Sequence, residues 1–334
     1  MFQVDQPTAA TSLPTPAAAG AQGYFTGGSP GSGVPATILD ADFMNMVMLE
    51  LTNVVTAAGL TPSKTTYTQV LTAILAMTQS APRVQGLRGN NNATTPNTQV
   101  DFSADSVTLR NPTTGVTNVV MNAGVVTNNI LAANTATNGR DQSAAFTASS
   151  WVHFYFVWNG TALVTRSSAI APSAGGPNLQ TGEVSWAYIG PMRLSGSSAL
   201  VPGHFVGAWF NYLVGQAAVS GGTATAITSV SLASVLPPNG MEMKLFVQSL
   251  QITGASSGGF SVSLNLQIEA SNTIASAGLQ GTQQATAVIA SVAGAAFVLT
   301  QMSQGINYQV LNNAGTAGSV NLAITGYKVA NGGE

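Results

Sequence analysis

Charge is what this sequence has least of. Charged residues make up only 6% of its 334 residues, against roughly 25% in an average soluble domain. Hydrophobic residues make up an ordinary 45%, so uncharged polar and small residues have replaced the charged ones. Identical chains that meet around a symmetry axis bring like charges together, and an unpaired buried charge is costly. The depletion of charge therefore indicates a β-rich homo-oligomer.

Cysteine is absent, which excludes disulfides, zinc–thiolate sites and thiol catalysis. The net charge is −2 and the nine basic residues are scattered singly, so the electrostatic footprint of a nucleic-acid-binding protein is missing. The most apolar run, residues 285–299, is shorter than the ~20 residues that a membrane-spanning helix needs. The N-terminus lacks the basic start and apolar core of a signal peptide. We expect neither nucleic-acid binding nor membrane insertion, and we expect assembly in a reducing cytoplasm without a signal peptide.

Residues 40–59 are predicted to form an amphipathic helix, with Asp40 as N-cap and Gly59 as its stop. Its apolar residues recur at helical spacing: Phe43, Val47, Leu51, Val54 or Val55, and Ala58.

A second helix is predicted from near Thr66 to Pro82, with Thr66 and Gln69 forming a capping box. Its apolar face consists of Val70, Leu71, Ile74 and Leu75. A hairpin of about 40 residues is too small to be stable alone, so we expect it to pack on copies of the chain or on a neighbouring protein. We expect the same of the Pro- and Gly-rich residues 1–36.

After residue 97 the pattern is typical of strands separated by turns. The predicted strands are 99–110, 116–127, 151–168 with an Asn159-Gly160 hairpin turn, 184–194, 204–214, 241–253, 258–271, 283–300, 305–313 and 318–329. The predicted fold class is mainly β with a short N-terminal α-helical hairpin and a distal β-sandwich. The predicted domains are an extended segment (1–39), the helical hairpin (40–82), a β-rich middle domain (83–214), a linker (215–240) and a C-terminal β-sandwich (241–334).

Residues that carry enzymatic or metal chemistry are sparse. Asp101 and Asp105 lie closest to a paired-carboxylate arrangement, but the intervening Phe102-Ser103-Ala104 is typical of a turn between solvated acids. Carboxylates distant in sequence stay an open alternative. The histidines are His153 and His204. A single histidine from each of three chains can ring a metal on a threefold axis, although a hydrogen-bonded strand histidine is the commoner outcome. We predict no catalytic residues, no metal ligands and no cofactor, and therefore a protein that is not an enzyme.

Three further segments call for an interpretation. The glycine-rich stretch 27–33 superficially matches a phosphate loop but lacks the flanking strand and Gly-Lys-Ser/Thr, so a turn is favoured. The aromatic residues concentrated in 151–212 are interpreted mainly as core, with exposed receptor contacts as the alternative. Arg140-Asp141 is interpreted as part of a solvated loop.

Short motifs follow one another in a fixed order near the N-terminus. They are Gly-Tyr-Phe at 23–25, Pro-Ala-Thr at 35–37, Asp-Ala-Asp-Phe at 40–43, Ala-Ala-Gly-Leu-Thr-Pro-Ser-Lys at 57–64 and Thr-Gln-Val-Leu at 68–71. Through them, residues 23–75 resemble the N-terminal module of tail fibre proteins of tailed bacteriophages and prophages. Residues 151–212 more weakly resemble a Trp-rich region of phage tail proteins.

The resemblance implies an elongated, usually trimeric fibre subunit in the phage tail of the virion. Its N-terminal module attaches to the tail tip or baseplate, and its distal β domains bind a host surface receptor, whether glycan, pilus or outer-membrane protein. Together with the apolar stripes, it predicts these attachment and oligomerisation residues: Tyr24, Phe25, Phe43, Val47, Leu51, Val54, Val70, Leu71 and Ile74. Receptor-binding residues are not assigned. The alternatives are a structural baseplate or connector protein that never touches the host, and a polysaccharide-degrading tail protein.

Overall fold

The computed structural model describes residues 2–78, 82–253, 258–267, 275–283, 290–292, 294–300, 304–312 and 316–331. The chain divides into two compact units, residues 1–80 and residues 81–334. We call them the N-terminal unit and the β unit. Parts of the predicted strands 258–271, 283–300 and 305–313, namely 268–271, 284–289, 293 and 313, lie outside the described residues.

The first helix, α1 (Ala41–Ala57), has the predicted start and stop. The Asp40 carboxylate accepts a hydrogen bond from the Phe43 amide at 2.8 Å, which satisfies one of the free N–H groups of the first turn. At the other end Gly59 has φ +74°, and the Gly59 and Leu60 amides donate to the Thr56 and Val55 carbonyls at 2.9 and 3.1 Å. This pair of bonds is a Schellman motif, which needs a residue such as glycine that tolerates positive φ.

The second helix, α2 (Gln69–Thr78), begins three residues later than predicted. Gln69 is its first residue and anchors the connection from α1. The Gln69 side-chain oxygen accepts from the Ser63 amide at 2.8 Å, and its nitrogen donates to the Thr61 carbonyl at 2.7 Å. The predicted capping box differs from the structure because Gln69 stands at the helix start rather than in its third position.

The β unit is built from antiparallel strands, which confirms the predicted mainly-β fold class. The strands are β1 (Arg83–Gln85), β2 (Arg88–Asn91), β3 (Gln99–Arg110), β4 (Thr117–Asn129), β5 (Trp151–Trp158), β6 (Leu163–Ser168), β7 (Ser185–Arg193), β8 (Gly203–Val206), β9 (Trp209–Gly222), β10 (Thr228–Ser231), β11 (Gly240–Thr253), β12 (Gly258–Gln267), β13 (Ala275–Gln283), β14 (Ala290–Val292), β15 (Ala295–Thr300), β16 (Gly305–Asn312) and β17 (Thr316–Val329).

The strands form two sheets around one core. The larger sheet has the order β14-β11-β17-β9-β8-β2-β3-β7-β5-β6, with β1 and β4 paired to β3 and β15 paired to β11; the smaller has the order β10-β16-β12-β13. Leu264 and Ile306 of the smaller sheet belong to the same cluster of buried side chains as Leu245 and Leu322 of the larger one. Burial of both inner faces against each other is the packing of a β-sandwich.

The structure differs from the predicted linker at 215–240. Strand β9 continues through residue 222 and pairs with β17, and residues 228–231 form β10. Strand β17 lies between β9 and β11, so the last strand of the chain joins the predicted middle and C-terminal domains into one unit. The small side chains of this segment permit the close pairing of Ala217 with Ala323. Likewise, the predicted strand 204–214 is a hairpin, β8–β9, that turns at Gly207 with φ +57°.

Aromatic side chains fill both faces of β5, so the interpretation of this region as core is confirmed. Phe154 and Phe156 pack on Phe102, with ring centroids 5.2 and 6.3 Å apart. Tyr155 points to the opposite face and contacts Tyr188 at 5.1 Å. All five are buried. Phe102-Ser103-Ala104 lies within strand β3, so its interpretation as a turn was wrong. Phe102 is buried in the core, and this burial favours the strand over a solvated turn.

Candidate association surface and polar cavity

The N-terminal unit has almost no interior of its own. Among residues 2–74, whose side chains the structure describes, only Val55, Gln69 and Ala73 are fully buried. Fourteen of its large apolar residues are instead exposed by more than a third: Phe2, Val4, Leu13, Tyr24, Phe25, Val34, Ile38, Leu39, Phe43, Met44, Met46, Tyr67, Leu71 and Ile74. Apolar exposure on this scale is a feature of interaction sites.

The predicted attachment residues all lie at this surface, and none of them is fully buried. Tyr24 is 98% exposed, and Phe25 lies edge-on to Phe43 with ring centroids 5.0 Å apart. Leu71 and Ile74 of α2 are 59% and 46% exposed. Val47, Leu51, Val54 and Val70 are half-buried, and the side chain of Leu75 lies outside the described residues.

The segment before α1 contacts the helices of its own unit, a contact that no pattern in the sequence predicts. The Ala17 amide donates to the Asp42 carboxylate at 2.9 Å. Lys64 forms an exposed ion pair with Asp5 at 2.7 Å, and hydrogen bonding to Lys64 lowers the pKa of the Asp5 carboxyl. A cavity of about 400 Å³ remains between residues 3–14 and α1. Since these contacts are few and mostly solvated, the segment adds little buried apolar area to the unit.

The glycine-rich residues 27–33 form a turn, as the sequence favours. The amide of Ser29 donates to the Val34 carbonyl at 2.8 Å, and the Thr37 amide donates to Thr26 at 2.9 Å. Between them Pro30–Ser32 form one 3-10 turn, and Gly33 has φ +69°. Backbone hydrogen bonds hold this short hairpin together. The glycines are explained by its turns, which need their conformational freedom.

In the β unit, Arg140 and Asp141 are buried, so their interpretation as a solvated loop was wrong. The Asp141 carboxylate accepts from the Ser168 hydroxyl at 2.7 Å and from the Asn178 amide at 2.8 Å. The Arg140 guanidinium donates to the Ile130 carbonyl at 2.9 Å. The loop is drawn against β6 because Arg140 and Ser167 form a backbone bridge there.

Arg166 and Glu183 form a buried ion pair that contacts the same loop. The guanidinium and the carboxylate are 2.8 Å apart, and their side chains are only 6% and 4% exposed. Arg166 also donates to the Ala136 carbonyl at 2.7 Å, and Glu183 accepts from the Gln180 amide at 2.8 Å. One ion pair therefore fixes two loops, 134–140 and 180–183. Between these loops lies a cavity of about 390 Å³, the polar cavity.

The two histidines lie in different environments. His153 is buried on β5, and its Nδ1 is 2.8 Å from the Tyr188 hydroxyl. Burial lowers the pKa of His153 to about 4, because desolvation disfavours the charged ring. His204 is half-buried on β8. The sequence left two interpretations of the histidines open, a metal ligand on a threefold axis and a hydrogen-bonded strand residue. The environment of His153 matches the second.

Burial also raises the pKa of the tyrosines in this core. Tyr188, Tyr212 and Tyr327 all show the effect, chiefly through desolvation of the phenolate. Each hydroxyl is hydrogen-bonded: Tyr212 donates to the Val235 carbonyl and Tyr327 to the Pro191 carbonyl, both at 2.7 Å. These neutral, paired hydroxyls hold strands and loops together.

Comparison with known proteins gives one match of high identity over a short segment. A stretch of 53 residues is 45% identical to the uncharacterized protein StfP of Escherichia coli strain K12, and the match covers 16% of this chain and 25% of that protein. No protein-family model matches the sequence. A Bacillus thuringiensis Cry1Da tryptic core variant aligns over 74% of this chain and 52% of its own, at 8% identity and a TM-score of 0.17. A TM-score this low carries no information about fold or function.

Two kinds of feature are missing from the part of the chain that the structure describes. Within it, no helix is long and apolar enough to cross a membrane. The same residues contain no group of three or more histidine, aspartate or glutamate side chains placed to hold a metal ion.

Proposed function

We propose that this chain is the subunit of a homotrimeric phage tail fibre that attaches through its N-terminal unit and recognises the host surface through its β unit. The observation that carries the proposal is the apolar surface of the N-terminal unit, where Phe43, Met44 and Met46 of α1 and Leu71 and Ile74 of α2 are exposed. The resemblance of residues 23–75 to the tail fibre module supports it, as does the similarity of one segment to StfP.

Association explains both the apolar surface and the lack of charge. If three copies bring their α1 and α2 faces together, Phe43, Leu71 and Ile74 become the core that a single copy lacks. Burial of such side chains is worth roughly 1.5–3 kcal/mol each. Few charges have to be desolvated, because Glu50 is the only acidic residue of α1 after the first turn and α2 has no charged residue.

The proposed role requires no catalysis. Eight acidic residues are already engaged in structural contacts with described residues: Asp5, Asp40, Asp42, Asp101, Asp105, Asp141, Glu183 and Glu242. Asp101 and Asp105, the residues closest to a paired-carboxylate arrangement, have separate partners: Asp101 accepts a hydrogen bond from Thr127, and Asp105 forms an ion pair with Arg88. We propose a fibre that works in the virion tail and binds without cutting. Release of fragments from host surface polysaccharide would contradict this part of the proposal.

Association through the N-terminal unit is tested by a double variant. Leu71→Ser with Ile74→Ser removes two exposed apolar side chains of α2, and we expect the purified protein to dissociate in sedimentation velocity. The control, Leu213→Ser with Val214→Ser, changes two residues of the β unit that are 65% and 72% exposed. We expect the control to keep its oligomeric state. Dissociation of the control alone would move the interface to the β unit.

Host recognition is tested by competition. Purified protein, or antibodies against residues 241–334, should block adsorption of the particle that carries this chain. A connector protein that never touches the host predicts no blocking by either reagent.

A further inference from the structure

The polar cavity of the β unit is concave, and six of its nine lining residues carry uncharged hydrogen-bonding groups. Its rim consists of amide and hydroxyl side chains: Asn134, Thr135, Thr137, Asn159, Gln180 and Thr181. Its volume of about 390 Å³ lies within the range of roughly 300–1,000 Å³ that is usual for small-molecule sites.

The charges at the floor of the cavity are already neutralised. The Arg166 Nε and Nη2 atoms both lie 2.8 Å from Glu183 Oε1, and Nη1 donates to the Ala136 carbonyl. Glu183 Oε2 accepts from the Gln180 amide. Because each polar atom of the pair has a protein partner, the floor offers no net charge to a ligand. A strongly anionic or cationic ligand would be desolvated there without compensation.

The same ion pair makes the cavity rigid. Arg166 lies on β6 and holds the 134–140 loop through backbone carbonyls, whereas Glu183 holds the 180–183 loop through a backbone amide. The two walls are thus fixed relative to each other before any ligand arrives. Preorganised walls reduce the entropy that binding costs.

Free hydroxyls at the rim define the kind of ligand. The Thr135, Thr137 and Thr181 hydroxyls are exposed and form no hydrogen bond with another described residue. Hydroxyls and amides both donate and accept, which suits a ligand whose own groups do both. A saccharide ring presents such groups in several directions without charge.

We propose that the polar cavity binds an uncharged saccharide unit of a cell-surface glycan. The inference rests on the proposed role in host recognition and assigns that role a site and a ligand class. Ligand contacts come from the rim threonines, and the Arg166–Glu183 pair acts as a positioning element.

The test is ligand-observed NMR with the full-length protein and defined probes: glucose, galactose, N-acetylglucosamine and oligosaccharides built from them, with sialic acid as the charged comparison. We expect the unmodified protein to bind at least one neutral probe in preference to sialic acid. Thr137→Val with Thr181→Val keeps the side-chain shape and removes two hydroxyls, and we expect about a tenfold loss of affinity. Absence of binding to every neutral probe, or preference for sialic acid, overturns the proposal.

Two control variants make the result specific. Thr137→Ser with Thr181→Ser retains both hydroxyls and should retain binding. Thr223→Val, an exposed threonine between β9 and β10, should bind like the unmodified protein. Equal affinity of the double valine variant and the Thr223→Val control would overturn the assignment of the cavity.

Adsorption competition separates this inference from the proposed function. If the unmodified protein and the double valine variant block adsorption equally, the chain recognises the host elsewhere and the cavity assignment is wrong. If the double variant loses saccharide binding but neither protein blocks adsorption, the cavity assignment stands and the host-recognition role is wrong.

Discussion

The two units of the chain place their apolar residues in opposite ways. In the β unit, aromatic and aliphatic side chains from both sheets form one buried core. In the N-terminal unit, the helices are well capped but most large apolar side chains lie in solvent. Local signals are thus sufficient to form helices, whereas stability requires a core. The comparison supports our proposal that the β unit folds by itself and that the N-terminal unit is completed by association.

The largest expected effect concerns the core of the β unit. Phe154→Ala removes a fully buried ring that packs on Phe102, and we expect a loss of about 3–5 kcal/mol in the free energy of unfolding. Phe25→Ala removes a ring that is 56% exposed and should change the unfolding of the β unit by less than about 0.5 kcal/mol. Urea denaturation followed by tryptophan fluorescence measures both. Equal losses would erase the contrast between the two units.

The buried ion pair gives the next effect. Glu183→Gln leaves the Arg166 charge in a protein interior, and breaking a buried pair in this way costs about 3–5 kcal/mol. The matched control is Asp105→Asn, which breaks the Arg88 pair at a site where both side chains are more than 60% exposed. An exposed pair is worth about 0–1 kcal/mol. If the control destabilised the protein as much as Glu183→Gln, burial would not be the source of the effect.

His153 makes the β unit sensitive to acid. Its folded-state pKa of about 4 lies below the ordinary value of 6.5, so the unfolded chain binds a proton more readily. The stabilisation is fully present above pH 6.5 and is lost as the pH falls towards 4, in total about 3 kcal/mol. Chemical denaturation at pH 7.5 and pH 4.5 measures the loss. We expect His153→Gln to reduce this dependence and His204→Gln to keep it.

Much of the fold follows from sequence patterns, because strands and capped helices leave local signals. The bounds predicted for β3 are those observed, and Asp40 and Gly59 delimit α1 as expected. Strand β2 was missed because Arg88-Gly89-Asn90-Asn91 is typical of a turn. Tertiary packing overrides that preference: a side chain at Gly89 would come within 2.8 Å of the Phe102 ring, so the pairing of β2 with β3 requires glycine there.

The apolar surface and the polar cavity also differ in how far the sequence predicts them. The apolar surface was predictable, since Phe43, Val47 and Leu51 recur at helical spacing in α1. Leu71 and Ile74 do the same in α2. The polar cavity was not, because Arg166 and Glu183 are 17 residues apart in sequence and Asn134, which also lines the cavity, lies further away still. Scattered charges are usually solvated, and only the β5–β6 hairpin and its adjoining loops bring these together.

The smallest expected effect concerns the helix caps of the N-terminal unit. Asp40→Ala removes the hydrogen bond to the Phe43 amide, and loss of an N-cap costs about 1 kcal/mol. We expect faster amide hydrogen exchange in α1 and unchanged exchange in β5. Asp42→Ala, which keeps the cap, should have a smaller effect on α1. Equal exchange in the Asp40→Ala variant and the unmodified protein would show that packing alone determines where α1 starts.

The mass of the purified protein in solution tests the central claim most directly. A single chain has a mass of 33.8 kDa, and light scattering should give three times that value if the exposed faces of α1 and α2 become an interface between copies. A mass of one chain at working concentrations, with α1 and α2 still folded, would contradict the account.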